Sequence, residues 1–178
     1  MKLRLLVLFL FTQVSISTTC SIVGDPTNAG QLCLKAEIIV RAIANKYFQA
    51  PDSSEAITTG TPESLIEFIV LDTLKGTSIP KVILLNGYLN DKDDFNDRPV
   101  PYNFVRRNGR RGSCYANTYK KGAEYLLFIK RKNNTYTVGI GALSPVNEQL
   151  HNSEDPWYYY IKGYLKCISD EEQINKKQ

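Results

Sequence analysis

The chain has 178 residues and a mass of 20.1 kDa, which is enough for one domain and too little for two of ordinary size. Hydrophobic residues make up 43% of it, so a buried core can form, and this excludes a wholly disordered protein. The formal net charge of +4 is too small for a dedicated nucleic-acid-binding protein, and the single histidine, His151, excludes a histidine-rich metal site.

The amino terminus has the pattern of a secretory signal peptide. Lys2 and Arg4 precede an apolar run, Leu5–Phe11, and small polar residues follow this run. A transmembrane helix needs about 20 apolar residues, so this run is too short to remain as a membrane anchor. We therefore expect a secreted, extracellular protein without a membrane span, with its signal peptide at residues 1–19.

Two cleavage points satisfy the small-x-small rule for signal peptides. Cleavage after Ser17 would release a chain that begins at Thr18, whereas cleavage after Thr19 would make Cys20 the first residue. A bacterial lipoprotein modified at Cys20 is an alternative, although Ser17-Thr18-Thr19 matches poorly the residues that usually precede a lipidated cysteine.

Four cysteines follow the signal peptide, namely Cys20, Cys33, Cys114 and Cys167. An even number in a secreted chain predicts two disulfides, with three possible connectivities. The spacing contains no C-x-x-C, which argues against a zinc site and against a thioredoxin-like redox site. Because Cys33 and Cys167 lie near the two ends of the domain, we favour a Cys33–Cys167 bridge, which leaves Cys20–Cys114.

The apolar segments predict a mainly β domain. We expect five strands, the last two forming a β-hairpin, at Glu37–Ala44, Leu65–Leu74, Val82–Tyr88, Glu124–Lys130 and Thr135–Ile140. The segments Pro51–Pro62 and Asn90–Arg111 are rich in polar and turn-forming residues, and we expect loops there.

The last regular element is predicted to be an amphipathic helix. Asp155 resembles an N-cap and Pro156 suits the first helical position. Apolar residues then recur at helical spacing, at Trp157, Tyr160, Ile161, Tyr164 and Leu165. Residues 169–178 are expected to form a polar tail. Strands that do not alternate with helices, closed by a helix, predict an OB-like closed five-stranded barrel.

Two charged segments are candidate binding sites. The acidic run Asp91, Asp93, Asp94 and Asp97 lacks the glycine and the terminal glutamate of an EF-hand, so we interpret it as a solvated loop. The basic run Arg106, Arg107, Arg110 and Arg111 surrounds the turn dipeptide Asn108-Gly109. It is either a solvated loop tip, a dibasic processing site or a patch for heparin-like polyanions.

Two further positions are candidates for glycosylation or for catalysis. Asn133-Asn134-Thr135 is a glycosylation sequon at the tip of the predicted hairpin, which makes Asn133 a candidate acceptor. His151 precedes the predicted helix, with Glu148, Glu154 and Asp155 near it in the sequence, and we interpret it as a surface residue. With no catalytic constellation visible, we expect a protein that is not an enzyme and that holds no cofactor or metal of its own.

Several short motifs together resemble the tissue inhibitors of metalloproteinases (TIMPs), which belong to the netrin-like superfamily with an OB-type barrel. The resemblance covers residues 20–168 and rests on these segments: Cys20-Ser21, Cys33 after a short helical stretch, Glu37–Ala42, Gly112-Ser113-Cys114, Glu124–Leu127 and Leu143-Ser144-Pro145. It implies a short helix before the first strand and the disulfides Cys20–Cys114 and Cys33–Cys167.

The chain departs from the family in two respects. TIMPs begin with Cys-x-Cys, whereas here Ile22 stands at the second position and Ile140 stands where we would align its partner. We also expect a one-domain form, without the six-cysteine carboxy-terminal domain of vertebrate TIMPs. An apolar pair in place of a buried disulfide leaves no unpaired thiol, so the first departure is internally consistent.

The resemblance implies inhibition by direct coordination. If Cys20 is the first residue, its α-amine and carbonyl oxygen would chelate the zinc of a metalloendopeptidase where the attacking water would sit. An α-amine with a pKa of about 8 can supply the neutral ligand form at physiological pH. Ser21, Ile22, Gly112 and Ser113 would contact the protease, and the inhibitor would act as a monomer. The alternative is a netrin-like matrix or polyanion-binding module that inhibits no protease.

Overall fold

The computed structural model describes residues 29–52, 63–93, 95, 118–132, 135–138 and 147–175. These residues form two helices and eight strands in a mainly β arrangement. In chain order the elements are α1 (Ala29–Lys35), β1 (Ile38–Gln49), β2 (Leu65–Lys75), β3 (Val82–Asn86), β4 (Tyr88–Asn90), β5 (Thr118–Lys120), β6 (Glu124–Lys132), β7 (Thr135–Val138), β8 (Asn147–Gln149) and α2 (Pro156–Asn175).

Six of the strands form one antiparallel sheet in the order β3-β2-β1-β6-β7, with β8 pairing β6 beside β7. The sheet is curved, because the Cα atoms of its edge strands β3 and β7 approach within 8 Å. No hydrogen-bonded ladder joins β3 to β7 in the described residues, so the prediction of a closed five-stranded barrel is wrong for this part of the chain. These edge strands have only five and four residues, which leaves little length for a closing ladder.

The concave face of the sheet carries an apolar core, called here the concave cluster. Alternate residues of β1 and β6 point into it, as expected for strands with a side-chain period of two. Its buried members are Ile38, Val40, Ala42, Ala44, Ile66, Phe68, Ile83, Leu85, Tyr119, Tyr125, Leu127 and Ile129. The strands predicted at the apolar segments Glu37–Ala44, Leu65–Leu74 and Glu124–Lys130 are confirmed as β1, β2 and β6.

The convex face is covered by the two helices, and its core is called here the convex cluster. It contains Leu32, Cys33, Ala36, Ile39, Leu126, Phe128, Leu150, Trp157, Tyr158 and Ile161. Ile39 and Phe128 are paired across β1 and β6, so the β1–β6 ladder contributes side chains to both clusters. The short helix expected before the first strand is present as α1, with Cys33 inside it.

The predicted strand Val82–Tyr88 is interrupted at Gly87. The Gly87 amide donates to the Ser64 carbonyl over 3.1 Å, and the Ser64 hydroxyl donates to the Gly87 carbonyl over 2.7 Å. The backbone bond continues the β2–β3 pairing by one residue beyond Leu65 and Asn86. Beyond Gly87, Tyr88–Asn90 forms β4, which pairs with β5 in a separate two-stranded ribbon.

A β-bulge at Leu71 changes which face of the sheet the residues of β2 serve. Asp72 pairs with Arg41 and Val70 pairs with Ala42, so Leu71 is one residue too many for the ladder. Before the bulge, Phe68 points into the concave cluster, whereas after it Leu74 packs against the convex cluster. The extra residue therefore turns Asp72 toward α2 instead of into the apolar interior.

The carboxy-terminal helix begins as predicted. The Asp155 carboxylate accepts a hydrogen bond from the Trp157 amide at 2.9 Å and another from the His151 amide at 2.9 Å, and Pro156 is the first helical residue. Asp155 is thus a buried N-cap. The apolar stripe faces the convex cluster as expected, but α2 continues to Asn175, into the residues expected to be a polar tail.

Candidate functional site

The β4–β5 ribbon bounds the chain segment that holds most of the predicted functional residues. Tyr88 pairs with Thr118 and Asn90 pairs with Lys120 in a parallel arrangement. The connection between the two strands contains residues 96–117, which lie outside the described residues and include the basic run and Gly112-Ser113-Cys114. Both ends of this segment are therefore attached to one structural unit.

Tyrosine side chains fix the ribbon to the sheet. The Tyr47 hydroxyl accepts a hydrogen bond from the Leu89 amide at 2.7 Å, and the Tyr125 hydroxyl accepts one from the Lys120 amide at 2.6 Å. Tyr119 of β5 is fully buried, with its ring 4.9 Å from Phe68 and 5.2 Å from Tyr125 in edge-to-face contacts. The ribbon is thus held by apolar ring contacts and by hydroxyls at the ends of the rings.

A second set of contacts, called here the corner, holds the chain just after β4. The Asp93 carboxylate accepts hydrogen bonds from the Lys120 ammonium at 2.8 Å and from the Gln149 amide. Two residues later, the Phe95 ring stacks on the His151 imidazole, with centroids 3.9 Å apart and planes 18° from parallel. The corner comprises these five residues and joins the exit from β4 to β5, β8 and the loop before α2.

The electrostatics of the corner keep Asp93 ionised. The hydrogen bond from Lys120 lowers the pKa of Asp93, and the hydrogen bond from Gln149 and the charges of Lys120 and His151 act in the same direction. The prediction that the acidic run is a solvated loop is supported for Asp91 and Asp93, since both are exposed. Asp94 and Asp97 lie outside the described residues.

The two described cysteines are free thiols. Cys33 is buried in the convex cluster and Cys167 is exposed on α2, so the predicted Cys33–Cys167 disulfide is not formed in the structure. Burial raises the pKa of Cys33 to about 11, against the opposing effect of the Lys75 charge. α1 is held instead by its apolar face and by the Lys75 ammonium, which donates to the Cys33 and Ala36 carbonyls at 2.7 Å each.

A polar network joins α2 to the convex face of the sheet. The Tyr158 hydroxyl donates to the Asp72 carboxylate, which the Lys162 ammonium also contacts at 3.4 Å. The Arg41 guanidinium lies 5.2 Å from the centroid of the Tyr158 ring and pairs with Glu124 over 3.1 Å. These groups are bonded to one another, and we interpret the network as a structural joint between helix and sheet.

The residues predicted to bind a partner, to form the second bridge or to carry a glycan lie outside the described residues. They are the zinc-chelating Cys20, the protease-contacting Ser21, Ile22, Gly112 and Ser113, the bridge partner Cys114, the acceptor Asn133 and the polyanion patch Arg106, Arg107, Arg110 and Arg111. The corner could not be predicted from the sequence, because Asp93 and Gln149 are far apart in the chain. The attachment of the ribbon left a partial signal, since Tyr47 and Tyr125 in predicted strands carry hydroxyls that need a partner.

The described part of the chain contains neither a metal-binding group of side chains nor a membrane-spanning helix. No group of three or more His, Cys, Asp or Glu side chains is placed to hold a metal ion there. None of the helices described is both long and apolar enough to cross a membrane. Comparison with known proteins adds no assignment, since no protein-family model and no curated protein matches the chain.

Proposed function

We propose that the chain is a secreted inhibitor of zinc metalloendopeptidases in which Cys20, exposed by signal cleavage, chelates the zinc of the protease. The proposal rests first on the TIMP-like motifs of the sequence. The curved, mainly antiparallel sheet with a helix near each end of the described chain supports a netrin-like fold, which is part of the proposal, but the barrel of that fold is not closed in the described residues.

The observation that carries the proposal is the position of β5. Cys114 precedes Thr118, the first residue of β5, by four positions in the sequence. A Cys20–Cys114 bridge would therefore attach the chelating residue to the segment that leads directly into the ribbon.

The proposal does not require the Cys33–Cys167 bridge. α1 is already attached to the sheet through Leu32 and Cys33, which are buried in the convex cluster, and through the hydrogen bonds from Lys75. The domain can therefore present its amino terminus from a fixed helix. An inhibitory segment held in one conformation loses less entropy on binding than a mobile one, and this favours tight inhibition.

The experiment compares two forms of the chain, one beginning at Cys20 and one with a single alanine before Cys20. We expect stoichiometric inhibition of at least one zinc endopeptidase by the first form. The second should be weaker by about 100-fold or more, because its amide nitrogen has no lone pair to donate to zinc. Equal inhibition by both forms would contradict the chelation.

The same preparations test the alternative. A netrin-like module that binds polyanions through Arg106, Arg107, Arg110 and Arg111 would inhibit none of the proteases. It would be retained on heparin in a salt-sensitive manner, and substitution of these arginines by alanine would abolish the retention. That pair of results would replace the inhibitor proposal.

A further inference from the structure

A groove between β2 and α2 is lined by residues to which the proposed inhibition assigns no role. Its volume is about 260 Å³, just below the range of about 300–1,000 Å³ that is typical of pockets for drug-sized ligands. One wall is the end of β2, at residues 72–74. The other wall is a single face of α2, with lining residues at helical spacing, namely Lys162, Leu165, Lys166 and Ser169. The groove therefore has room for a small ligand or for the end of a larger one.

The groove is open because β3 ends before β2 does. The ladder between these strands ends at the pair Ile69–Val82, and one further bond joins the Val70 amide to the Lys81 carbonyl. β2 nevertheless continues to Lys75, and its last residues pair with β1 alone among the described strands. Within the described part of the chain, no strand fills the space beside the end of β2, and α2 forms the opposite wall of that space.

The charged side chains of the groove leave one ammonium available to a ligand. Two lysines and one aspartate line it, which gives a net charge of +1. Asp72 is bonded to the Tyr158 hydroxyl, which lowers the pKa of Asp72, and it pairs with Lys162 over 3.4 Å. Lys166, one helical turn after Lys162, makes no hydrogen bond or ion pair with another residue that the structure describes. A monoanion suits this arrangement better than a dianion, which the ionised Asp72 would repel.

The groove also offers hydroxyl groups and an apolar surface. Thr73 and Ser169 line it from opposite walls, and their hydroxyls are able to donate to an anionic oxygen. Leu74 and Leu165 line it as well, and both are partly buried against the convex cluster, which holds them in place. A few polar groups beside an apolar surface are typical of small-molecule sites.

We propose that the groove between β2 and α2 binds a carboxylate that carries a short aliphatic chain. Lys166 would pair with the carboxylate, and Leu74 and Leu165 would contact the chain. A free short-chain acid has this chemistry, and so has the carboxy terminus of a peptide that ends in an aliphatic residue. The site involves neither Cys20 nor a protease, so the inference goes beyond the proposed inhibition and does not depend on it.

Titrations of the secreted chain, followed by amide NMR spectra at neutral pH, test the proposal. Hexanoate represents the free acid, and N-acetyl-leucine represents the carboxy terminus of a peptide. We expect at least one of them to bind with a dissociation constant of about 1–10 mM. Binding should shift the amide signals of Thr73, Leu165 and Ser169 in a saturable manner, and the tighter probe identifies the source of the carboxylate.

Two lysine variants and two further probes separate this site from weaker explanations. Lys166→Met should weaken binding by about threefold or more, because it removes the ammonium and keeps most of the aliphatic chain. Lys121→Met is the matched control, since Lys121 is exposed outside the groove, and it should leave binding unchanged. Neither change should unfold the domain, because both lysines are exposed. Hexanol, which lacks the charge, and inorganic phosphate, which lacks the chain, should each bind about fivefold more weakly than hexanoate or worse.

Four results would overturn the proposal. The first is the absence of saturable shifts at the groove with both acids up to about 20 mM. The second is binding that Lys166→Met weakens no more than Lys121→Met does. The third is hexanol binding as tightly as hexanoate, and the fourth is inorganic phosphate binding more tightly than either acid. None of these measurements involves a protease, so this proposal and the inhibitor proposal can fail separately.

Discussion

The curved sheet and the corner are held together by different kinds of contact. The concave cluster consists of apolar and aromatic side chains, most of them fully buried. The corner combines partly exposed charged and aromatic groups with the buried amide of Gln149. Burial of apolar area supplies most of the favourable free energy of folding, and exposed ion pairs supply little. We infer that the sheet, and not the corner, provides most of the stability of the domain.

The largest difference is expected between the alkylation rates of Cys33 and Cys167, because Cys33 is buried in the convex cluster and Cys167 is exposed. At pH 8 the raised pKa of Cys33, about 11, leaves only about one thiol in a thousand ionised, and burial blocks access to it. Alkylation followed by peptide mapping should label Cys167 at least 100-fold faster than Cys33. Equal rates, or recovery of the two peptides joined by a disulfide, would contradict the structure.

A core truncation should have the next largest effect. Phe68 is fully buried and contacts the rings of Tyr119 and Tyr125, so Phe68→Ala should lower the free energy of unfolding by about 3–5 kcal/mol. Phe48→Ala is the matched control, because Phe48 is 62% exposed and its loss should cost less than about 1 kcal/mol. Urea titrations of both variants measure the difference, and similar costs would place Phe68 outside the core.

The joint between α2 and the sheet should show a smaller and pH-dependent effect. The Tyr158 hydroxyl bond, assisted by the Lys162 charge, lowers the pKa of Asp72 despite partial burial. Tyr158→Phe should therefore cost about 1 kcal/mol of unfolding free energy at neutral pH. A carboxylate with a lowered pKa stabilises the fold above its unfolded pKa of about 3.9, and the contribution disappears as pH falls through the folded value.

The difference between parent and Tyr158→Phe should accordingly be constant from pH 7 to about pH 5 and shrink below about pH 4. Tyr159→Phe is the control, since the Tyr159 hydroxyl bonds the exposed Glu154 at 2.9 Å and is not bonded to Asp72. Denaturant unfolding at several pH values gives both series. A difference that grows at low pH would show that the carboxylate is not the acceptor.

The smallest effect is expected at the corner itself. Lys120→Met removes the ammonium that pairs with Asp93 but keeps most of the aliphatic chain. The melting temperature should change by less than about 2 °C, because both partners are partly solvated. A larger fall, comparable to that of Phe68→Ala, would make the corner part of the stabilising core and remove the contrast between the two regions.

The sequence predicted the parts of the fold that depend on local pattern. Apolar, β-branched runs marked the positions of β1 and β6, and the Asp155-Pro156 pair marked the start of α2. It did not reveal the bulge at Leu71, because a continuous apolar strand contains no sign of an extra residue. The corner was also missed, since the bond between Asp93 and Gln149 depends on how β4, β5 and β8 are brought together.

The central claim is that the amine of Cys20 binds the zinc of a protease, and a metal substitution tests this most directly. Cobalt(II) in place of zinc gives the protease a visible spectrum that depends on the ligands of the metal. We predict that the chain beginning at Cys20 changes this spectrum at one equivalent, and that the form with an added alanine leaves it unchanged. An unchanged spectrum with the first form, or the same change with both, would contradict the account.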